Sequence, residues 1–252
     1  MFGVELVDLL PFIAAGFAAQ LVDGALGMAF GVISNTLLIS LGVAPAAASA
    51  GVHTVETFTT CASGLSHIAH RNVDWKLLAR LTIPGVVGAV IGAYVLTHID
   101  GSTAKPFVLG YLTLIGLFLF WRGLRFPPQH RPAKIIEPLA LAGGFLDAAG
   151  GGGWGPVVTG NLLVQGADPR RTIGTVNTSE FLVTVTSAAT FIAALGWATF
   201  TVATLGLLIG GIVAAPLGAW LVKRIAPKPL LVLVGFLLTL TSLYGIYRAI
   251  AG

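Results

Sequence analysis

Long apolar segments follow one another along this chain, and short loops between them hold most of the charged residues. Only 10% of the residues are charged and 56% are hydrophobic, whereas soluble domains carry about 25% charged residues. A chain of this composition cannot cover its surface with polar groups, so its main solvent must be lipid. The sequence therefore predicts an all-α polytopic membrane protein.

The apolar segments, bounded by charges, Pro and Gly, number five in each half of the chain. They lie near residues 6–22, 27–42, 46–69, 77–97, 104–121, 137–149, 153–166, 172–195, 200–222 and 229–248. The stretch RGLRFPPQHRPAKIIEP, rich in Pro and basic residues, lies between the halves. We therefore expect a first repeat over 1–121, a linker over 122–136 and a second repeat over 137–252.

The two halves are an internal repeat. GMAFGVISNTLLISLGVAP (27–45) aligns with GGGWGPVVTGNLLVQGADP (151–169) without a gap. Four pairs keep one offset of 124 residues: Asp23 and Asp147, Gly31 and Gly155, Pro45 and Pro169, and Glu56 and Glu180. Chance similarity between two apolar stretches would not keep one register across a Pro and two acids.

The basic residues indicate how the segments cross the membrane. If each half contributes an odd number of crossings, all Lys and Arg except Lys105 and Arg248 fall on one side. By the positive-inside rule that side is the cytoplasm, so both termini lie outside and the two halves are inverted relative to each other. The net charge of +4 is thus an orientation signal, and no nucleic-acid partner is expected.

Several segments are too short for a perpendicular span, which needs about 20 residues. Segments 27–42, 137–149 and 153–166 are clearly short, and DGALG (23–27) and DAAGGGG (147–153) interrupt the corresponding pairs. Short, Gly-interrupted segments at matching positions of inverted repeats indicate a transporter's binding site near the membrane centre. We expect a re-entrant helical pair in each repeat and 8–10 membrane segments in total.

Two carboxylates lie deep inside apolar segments, within HTVETF (53–58) and NTSEF (177–181). Glu56 lies about ten residues beyond Pro45, or roughly 15 Å along a helix, and Glu180 is similarly deep from the opposite face. Intramembrane acids are functional by default, so we expect proton or cation coupling, or a ligand contact. The alternative is a buried Glu that bridges helices or caps nearby helix starts.

His53 and Asn177 occupy matching positions one helical turn before these acids. His53 is a candidate donor to an anion or proton carrier, and the alternative is a structural histidine bonded to Glu56. Thr54 and Thr178 either bond the backbone of their own helices or contact a ligand.

The Gly-rich interruptions each precede a helix start, where free N–H groups and the positive end of the helix dipole attract anions. Asp23 and Asp147 come just before these glycines. Their side chains either cap the helix starts or take part in ion coupling. Phe30 and Trp154 match each other and either line the site or pack behind it.

These residues and motifs resemble the TauE/SafE family, the group of sulfite exporters and toluene sulfonate uptake permeases. The resemblance rests on AGFAAQLVDGALGMAFG and GGFLDAAGGGGWGP, each followed by HTVETF or NTSEF. It implies a bacterial inner-membrane transporter of small sulfur-containing anions such as sulfite, sulfonates or sulfoacetate, without a bound cofactor. The first half departs from the second, with ALGMAFG in place of GGGGWG.

We therefore expect a secondary transporter that works by alternating access, with a small anion as its substrate and protons as its coupling ion. The alternatives are a cation transporter that uses the acids and, from another class, a membrane-embedded enzyme with His53 and Glu56 as its acid–base pair. GAVIG (88–92) predicts either a homodimer face or close packing within the bundle. The candidate substrate-binding residues are Gly27, Phe30, Gly31, His53, Thr54, Glu56, Gly152, Gly153, Trp154, Asn177, Thr178 and Glu180, and the candidate coupling residues are Asp23, Glu56, Asp147 and Glu180.

Overall fold

The structure is a computed structural model that describes residues 6–26, 28–125, 133–165, 167–197, 201–221 and 227–251. Within these ranges the chain forms ten α-helices and no strand. The helices are α1 (Leu6–Leu26), α2 (Phe30–Ser40), α3 (Pro45–Ala69), α4 (Trp75–His98), α5 (Gly101–Arg125), α6 (Glu137–Gly150), α7 (Gly160–Val164), α8 (Pro169–Leu195), α9 (Val202–Leu221) and α10 (Pro227–Ala251). A π-helical turn, Trp154–Thr159, leads directly into α7.

The all-α prediction is confirmed, and each predicted apolar segment corresponds to helical structure in the described residues. Three helices there are long and apolar enough to cross a membrane: Trp75–His98, Gly101–Arg125 and Arg171–Leu195. With 11 residues, α2 is only about 16 Å long, roughly half of the 30 Å bilayer core. With 14 residues, α6 reaches about 21 Å and is also too short to cross alone.

The helices of the two halves pack against each other in an interlocked arrangement. The most extensive contacts join α1 to α9, α4 to α6, α5 to α10 and α3 to α8. In the repeat alignment α1 matches α6 and α4 matches α9, so the first two contacts are equivalent. Each half therefore packs its first helix against the fourth helix of the other half.

Glycines allow these helices to approach closely. A Cβ atom on Gly16 of α1 would lie 2.4 Å from the carbonyl oxygen of Leu207 in α9. The contact between α4 and α6, which is equivalent to that between α1 and α9, is equally tight. A Cβ atom on Gly144 of α6 would lie 2.0 Å from the carbonyl oxygen of Gly85 in α4. Gly88, within the GAVIG pattern, also packs against α6 of the same chain. Small residues are the usual means of close helix packing in lipid, where apolar side chains gain little from mutual burial.

One contact between α3 and α8 joins a residue to its own repeat counterpart. The Oγ1 atoms of Thr60 and Thr184 lie 3.5 Å apart, and the two residues are 124 positions apart in the sequence. Equivalent residues of two copies meet only near the axis that relates the copies. Because Glu56 and Glu180 lie one helical turn before these threonines, the contact brings the two halves of the candidate site together.

Three of the loops that carry basic residues, those that lead into α4, α6 and α8, lie together at one end of the bundle in the described part of the chain. The backbone N–H of Asp74 donates to Thr175 Oγ1 at 2.9 Å, and Arg80 forms an exposed ion pair with Glu137. Gln165 Oε1 accepts the backbone N–H of Lys134 at 2.8 Å. These contacts bring together the starts of α4, α6 and α8, as the charge distribution predicts.

The contact between α4 and α6 predicts a large effect for a single methyl group. Gly144→Ala should lower the free energy of unfolding by about 1–3 kcal/mol, because the new Cβ atom would overlap the backbone of α4. Thermal unfolding of the purified protein in detergent measures this change. Gly110→Ala is the matched control, since a Cβ atom there meets nothing within 4 Å. Equal melting temperatures for the two variants would contradict the packing described here.

Candidate functional site

Five ionisable side chains are buried together where the two halves meet. Asp23, Glu56, Asp147 and Glu180 are 9%, 4%, 2% and 7% exposed, and His53 is fully buried. The carboxylate of Glu180 interacts electrostatically with those of Asp23, Glu56 and Asp147. All four residues that the sequence selected as coupling residues therefore belong to one cluster, together with His53 from the binding candidates.

The two aspartates cap the starts of the interrupted helices. Asp23 Oδ1 accepts the backbone N–H of Phe30 at 3.3 Å. Asp147 Oδ1 accepts the N–H groups of Gly153 at 2.7 Å and Trp154 at 2.9 Å. Helix starts leave N–H groups without partners in the helix, and an aspartate seven residues earlier supplies the acceptor in both halves. The predicted capping role is confirmed, and we name residues 23–30 the first tip and residues 147–154 the second tip.

The second tip packs against the start of α2 and against α5. A Cβ atom on Gly152 would lie 2.4 Å from the backbone nitrogen of Val32, and Gly152 has a φ of +140°. A Cβ atom on Gly151 would overlap the Asn35 side chain, and one on Gly153 would lie 2.3 Å from the Tyr111 hydroxyl oxygen. Close approach therefore requires these glycines, and the positive φ of Gly151 (+71°) and Gly152 (+140°) requires glycine at those two positions as well. Gly27, the matching candidate in the first tip, lies outside the described residues.

Glu56 reaches the same contact from α3. Its carboxylate lies against the backbone N–H of Gly31, and a Cβ atom on Gly31 would lie 2.9 Å from Glu56 Oε1 and 3.0 Å from the Cα atom of Gly152. The second oxygen, Oε2, is buried and has no hydrogen-bond partner within the described part of the chain. The Glu56 carboxyl group is thus buried beside both tips, and its Oε2 atom is able to accept a further hydrogen bond.

His53 links α3 to the second tip. Its Nε2 atom lies 3.1 Å from Asp147 Oδ2, and its Nδ1 atom lies 2.7 Å from the carbonyl oxygen of Ser49. The alternative in which His53 bonds to Glu56 is therefore wrong. Because a carbonyl oxygen only accepts, Nδ1 carries a proton, and one further proton lies between Nε2 and the Asp147 carboxylate. The pair can hold or release that proton.

Two further contacts fasten the end of α6 to the first half. Ser49 Oγ donates to the carbonyl oxygen of Ala148 at 2.8 Å, and Asn35 Nδ2 donates to that of Gly150 at 3.1 Å. Tyr111 donates its hydroxyl to the carbonyl oxygen of Gly152 at 3.4 Å. Sequence reasoning missed Asn35, Ser49 and Tyr111, although Asn35 matches a second buried polar residue, Thr159, in the repeat alignment.

The matching threonines use their hydroxyl protons within their own helices. Thr54 Oγ1 donates to the carbonyl oxygen of Ala50 at 2.8 Å, and Thr178 Oγ1 donates to that of Gly174 at 2.7 Å. Asn177 differs from them, because its Oδ1 atom is buried without a hydrogen-bond partner in the described ranges. Backbone bonding of the threonines is confirmed, and ligand contact by any of the three stays a prediction.

The two aromatic residues that follow the tips pack against glycines. Phe30 contacts Gly211 of α9, and Trp154 contacts Gly85 of α4. Trp154 Nε1 also donates to the carbonyl oxygen of Val176 at 3.2 Å. Both rings are buried, so they hold each tip against the fourth helix of the opposite half.

The capping role of Asp147 predicts a large loss of stability when its carboxylate is removed. Asp147→Ala should cost about 3–5 kcal/mol, because it leaves His53 and two buried amides without their acceptor. Thermal unfolding in detergent measures this loss. Asp168→Ala is the matched control: Asp168 caps α8 at an exposed site with one bond to the Arg171 N–H, and caps of that kind are worth about 1 kcal/mol. A loss no larger than that of the control would show that the second tip does not depend on Asp147.

Comparison with known proteins agrees with this architecture. Residues 12–245 match the family described as sulfite exporter TauE/SafE. A relative from Bacillus subtilis (strain 168), named "Probable membrane transporter protein YtnM", is 44% identical over 246 residues, which cover 93% of this chain and 81% of the relative. No solved structure gives a significant match. The chain is therefore a multi-pass membrane protein of the TauE/SafE transporter family.

Proposed function

We propose that the protein is a secondary transporter of small sulfur-containing oxyanions, such as sulfite, a sulfonate or sulfoacetate, and that protons are coupled to their transport. The observation that carries this proposal is the position of the buried carboxylates. The two Asp carboxylates accept backbone N–H groups at the helix starts, and Glu56 lies against a third such group. These three carboxylates therefore occupy positions at helix starts where an anionic ligand would also bind.

Exchange of one oxyanion for another follows from this geometry. A sulfite or sulfonate group presents acceptor oxygens, as a carboxylate does, so it can take over the amides of Gly153 and Trp154 when Asp147 moves off them. Protonation favours that movement, because a neutral carboxyl group is a weaker acceptor than a carboxylate. The protonated group can then donate a hydrogen bond to the incoming anion.

The charge of the cluster requires protons when an anion enters. Four carboxylates and one imidazole share a buried region, and adding another negative charge there is unfavourable unless some carboxylates are neutral. Glu56 and Glu180 are assigned as the proton carriers: Glu56 Oε2 is buried without a hydrogen-bond partner in the described part of the chain, and the Glu180 carboxylate faces the negative charges of Asp23, Glu56 and Asp147. Each anion would therefore bind together with at least one proton.

The interlocked halves support alternating access. We place the protein in the bacterial inner membrane with its basic loops in the cytoplasm and both termini outside. In that orientation the halves are inverted repeats, and the two tips meet near the membrane centre as ends of re-entrant helical pairs. No enzymatic activity and no bound cofactor are proposed, and both import and export are compatible with this arrangement.

A cation transporter is the second candidate, because the acidic cluster itself favours a positive ligand. Among the described residues, however, no group of three or more His, Cys, Asp or Glu side chains is arranged to hold a metal ion. The aspartates also direct an oxygen toward backbone N–H groups, which repel cations. We therefore rank this candidate below the anion transporter.

Uptake by sealed proteoliposomes tests the proposal. With the wild-type protein, an inward proton gradient should stimulate uptake of labelled sulfite or of a labelled sulfonate. Glu56→Gln and Glu180→Gln should lower the stimulated rate about tenfold, the effect expected from loss of one charge-assisted hydrogen bond. Labelled Mn²⁺ in parallel vesicles tests the cation alternative.

Glu137→Gln is the matched control, because this carboxylate is exposed and pairs with Arg80 far from the cluster. It should transport like the wild type. Sulfur-anion uptake that ignores the gradient, or that is unchanged in both Gln variants, would contradict proton coupling through these acids. Mn²⁺ uptake without anion uptake would contradict the substrate class itself.

A further inference from the structure

The repeat alignment pairs two contacts across the site, and only one of them is formed. His53 matches Asn177, and Asp147 matches Asp23. His53 Nε2 lies 3.1 Å from Asp147 Oδ2, so α3 of the first half is tied to the second tip. The equivalent tie would be a hydrogen bond from Asn177 Nδ2 to the Asp23 carboxylate. No such bond is present between these two described residues, and the Asp23 carboxylate instead accepts the Phe30 N–H.

The two tips differ in the same way in their own hydrogen bonds. Asp147 accepts the N–H groups of Gly153 at 2.7 Å and Trp154 at 2.9 Å. Among the described residues, Asp23 accepts that of Phe30, at the longer distance of 3.3 Å. The aspartate of the second tip therefore makes the shorter cap bonds of the two.

We propose that His53 and Asn177 are repeat-related positioning residues, and that the transport cycle exchanges the His53–Asp147 contact for an Asn177–Asp23 contact. In a transporter built from two inverted copies, the copies exchange conformations when the protein changes the side to which its site opens. The observed His53–Asp147 contact then marks the conformation in which the site opens to one side of the membrane, and an Asn177–Asp23 contact would mark the other. This inference rests on the proposed alternating-access function and names the residues that distinguish its two states.

The chemistry of the two ties gives the states different stabilities. The histidine can carry a positive charge next to its aspartate, which adds the attraction between two opposite charges to the hydrogen bond. An asparagine amide is always uncharged, so its bond to an aspartate lacks this attraction. The chain therefore favours the state in which the second tip is tied, and that preference should follow the histidine if it is moved to the other half.

Exchanging the two residues tests the proposal. In the double variant His53→Asn/Asn177→His, the preferred tie should move to the first tip. Hydrogen–deuterium exchange in lipid nanodiscs, followed by mass spectrometry, reports the protection of peptides covering the two tips. In the wild type the second tip should exchange more slowly than the first. The double variant should reverse this order, with about a fivefold difference between the tips, which corresponds to about 1 kcal/mol of added attraction between the imidazolium and the aspartate.

A purely local structural role for His53 makes the opposite prediction. In that case the double variant would be more damaged than His53→Asn alone, because it would add a buried imidazole without a partner. The exchange model predicts instead that adding Asn177→His restores part of the transport lost in His53→Asn. Unchanged order of protection, or no restoration, would overturn the proposal.

A second double variant tests whether exchanging any two repeat-related residues changes the order of protection. Phe58 and Leu182 occupy equivalent, lipid-facing positions and are 52% and 43% exposed, so Phe58→Leu/Leu182→Phe should leave the order of protection unchanged. If the test variant does not accumulate in membranes, Asn177→His alone gives a second measurement. It should slow exchange at the first tip, and an unchanged rate there would overturn the proposal.

Failure of this inference is separable from failure of the proposed function. The exchange measurement uses no substrate, so reversed protection without uptake of sulfur anions would contradict only the substrate. Gradient-driven uptake with unreversed protection would contradict only the exchange of ties.

Discussion

Backbone N–H groups at the starts of interrupted helices need acceptors wherever water is excluded. In this protein the acceptors are aspartates seven residues upstream, at Asp23 and Asp147. Much of the rest of the site depends on this solution. It places carboxylates beside positively polarised helix starts, where an anion would also bind. Under the proposed function, an anionic substrate would take the place of one of these carboxylates.

Close backbone contact between the halves makes this arrangement possible. The glycines of the second tip and of α4, α1 and α9 leave no room for side chains where elements of opposite halves cross. In lipid, such packing replaces the hydrophobic burial that drives folding in water. As a result, a single added methyl group at one of these glycines would overlap the backbone of the opposite half and destabilise the interface. The benefit is that the two halves of the chain share one buried cluster, with Thr60 and Thr184 in contact between them.

The sequence predicted the helices, the capping aspartates and the grouping of the basic loops before α4, α6 and α8, because these follow from local pattern and from a register kept over 124 residues. It did not predict the partner of His53, which lies 94 positions away on another helix. Asn35 and Ser49 were missed for a related reason. Each is an isolated polar residue in a helix, and its role becomes visible only when α6 is packed against it. Polar contacts between distant helices depend on tertiary packing, which periodicity does not encode.

The central claim is that an oxyanion takes the place of a carboxylate at the tips. Anomalous diffraction from crystals grown at acidic pH with selenite, a heavier relative of sulfite, tests it directly. The account predicts a selenium peak between the start of α2 and residues 151–154, with the carboxyl group of Asp147 or Asp23 turned away from the backbone amides. Selenium found only at the loops, with both aspartates still bonded to those amides, would contradict it.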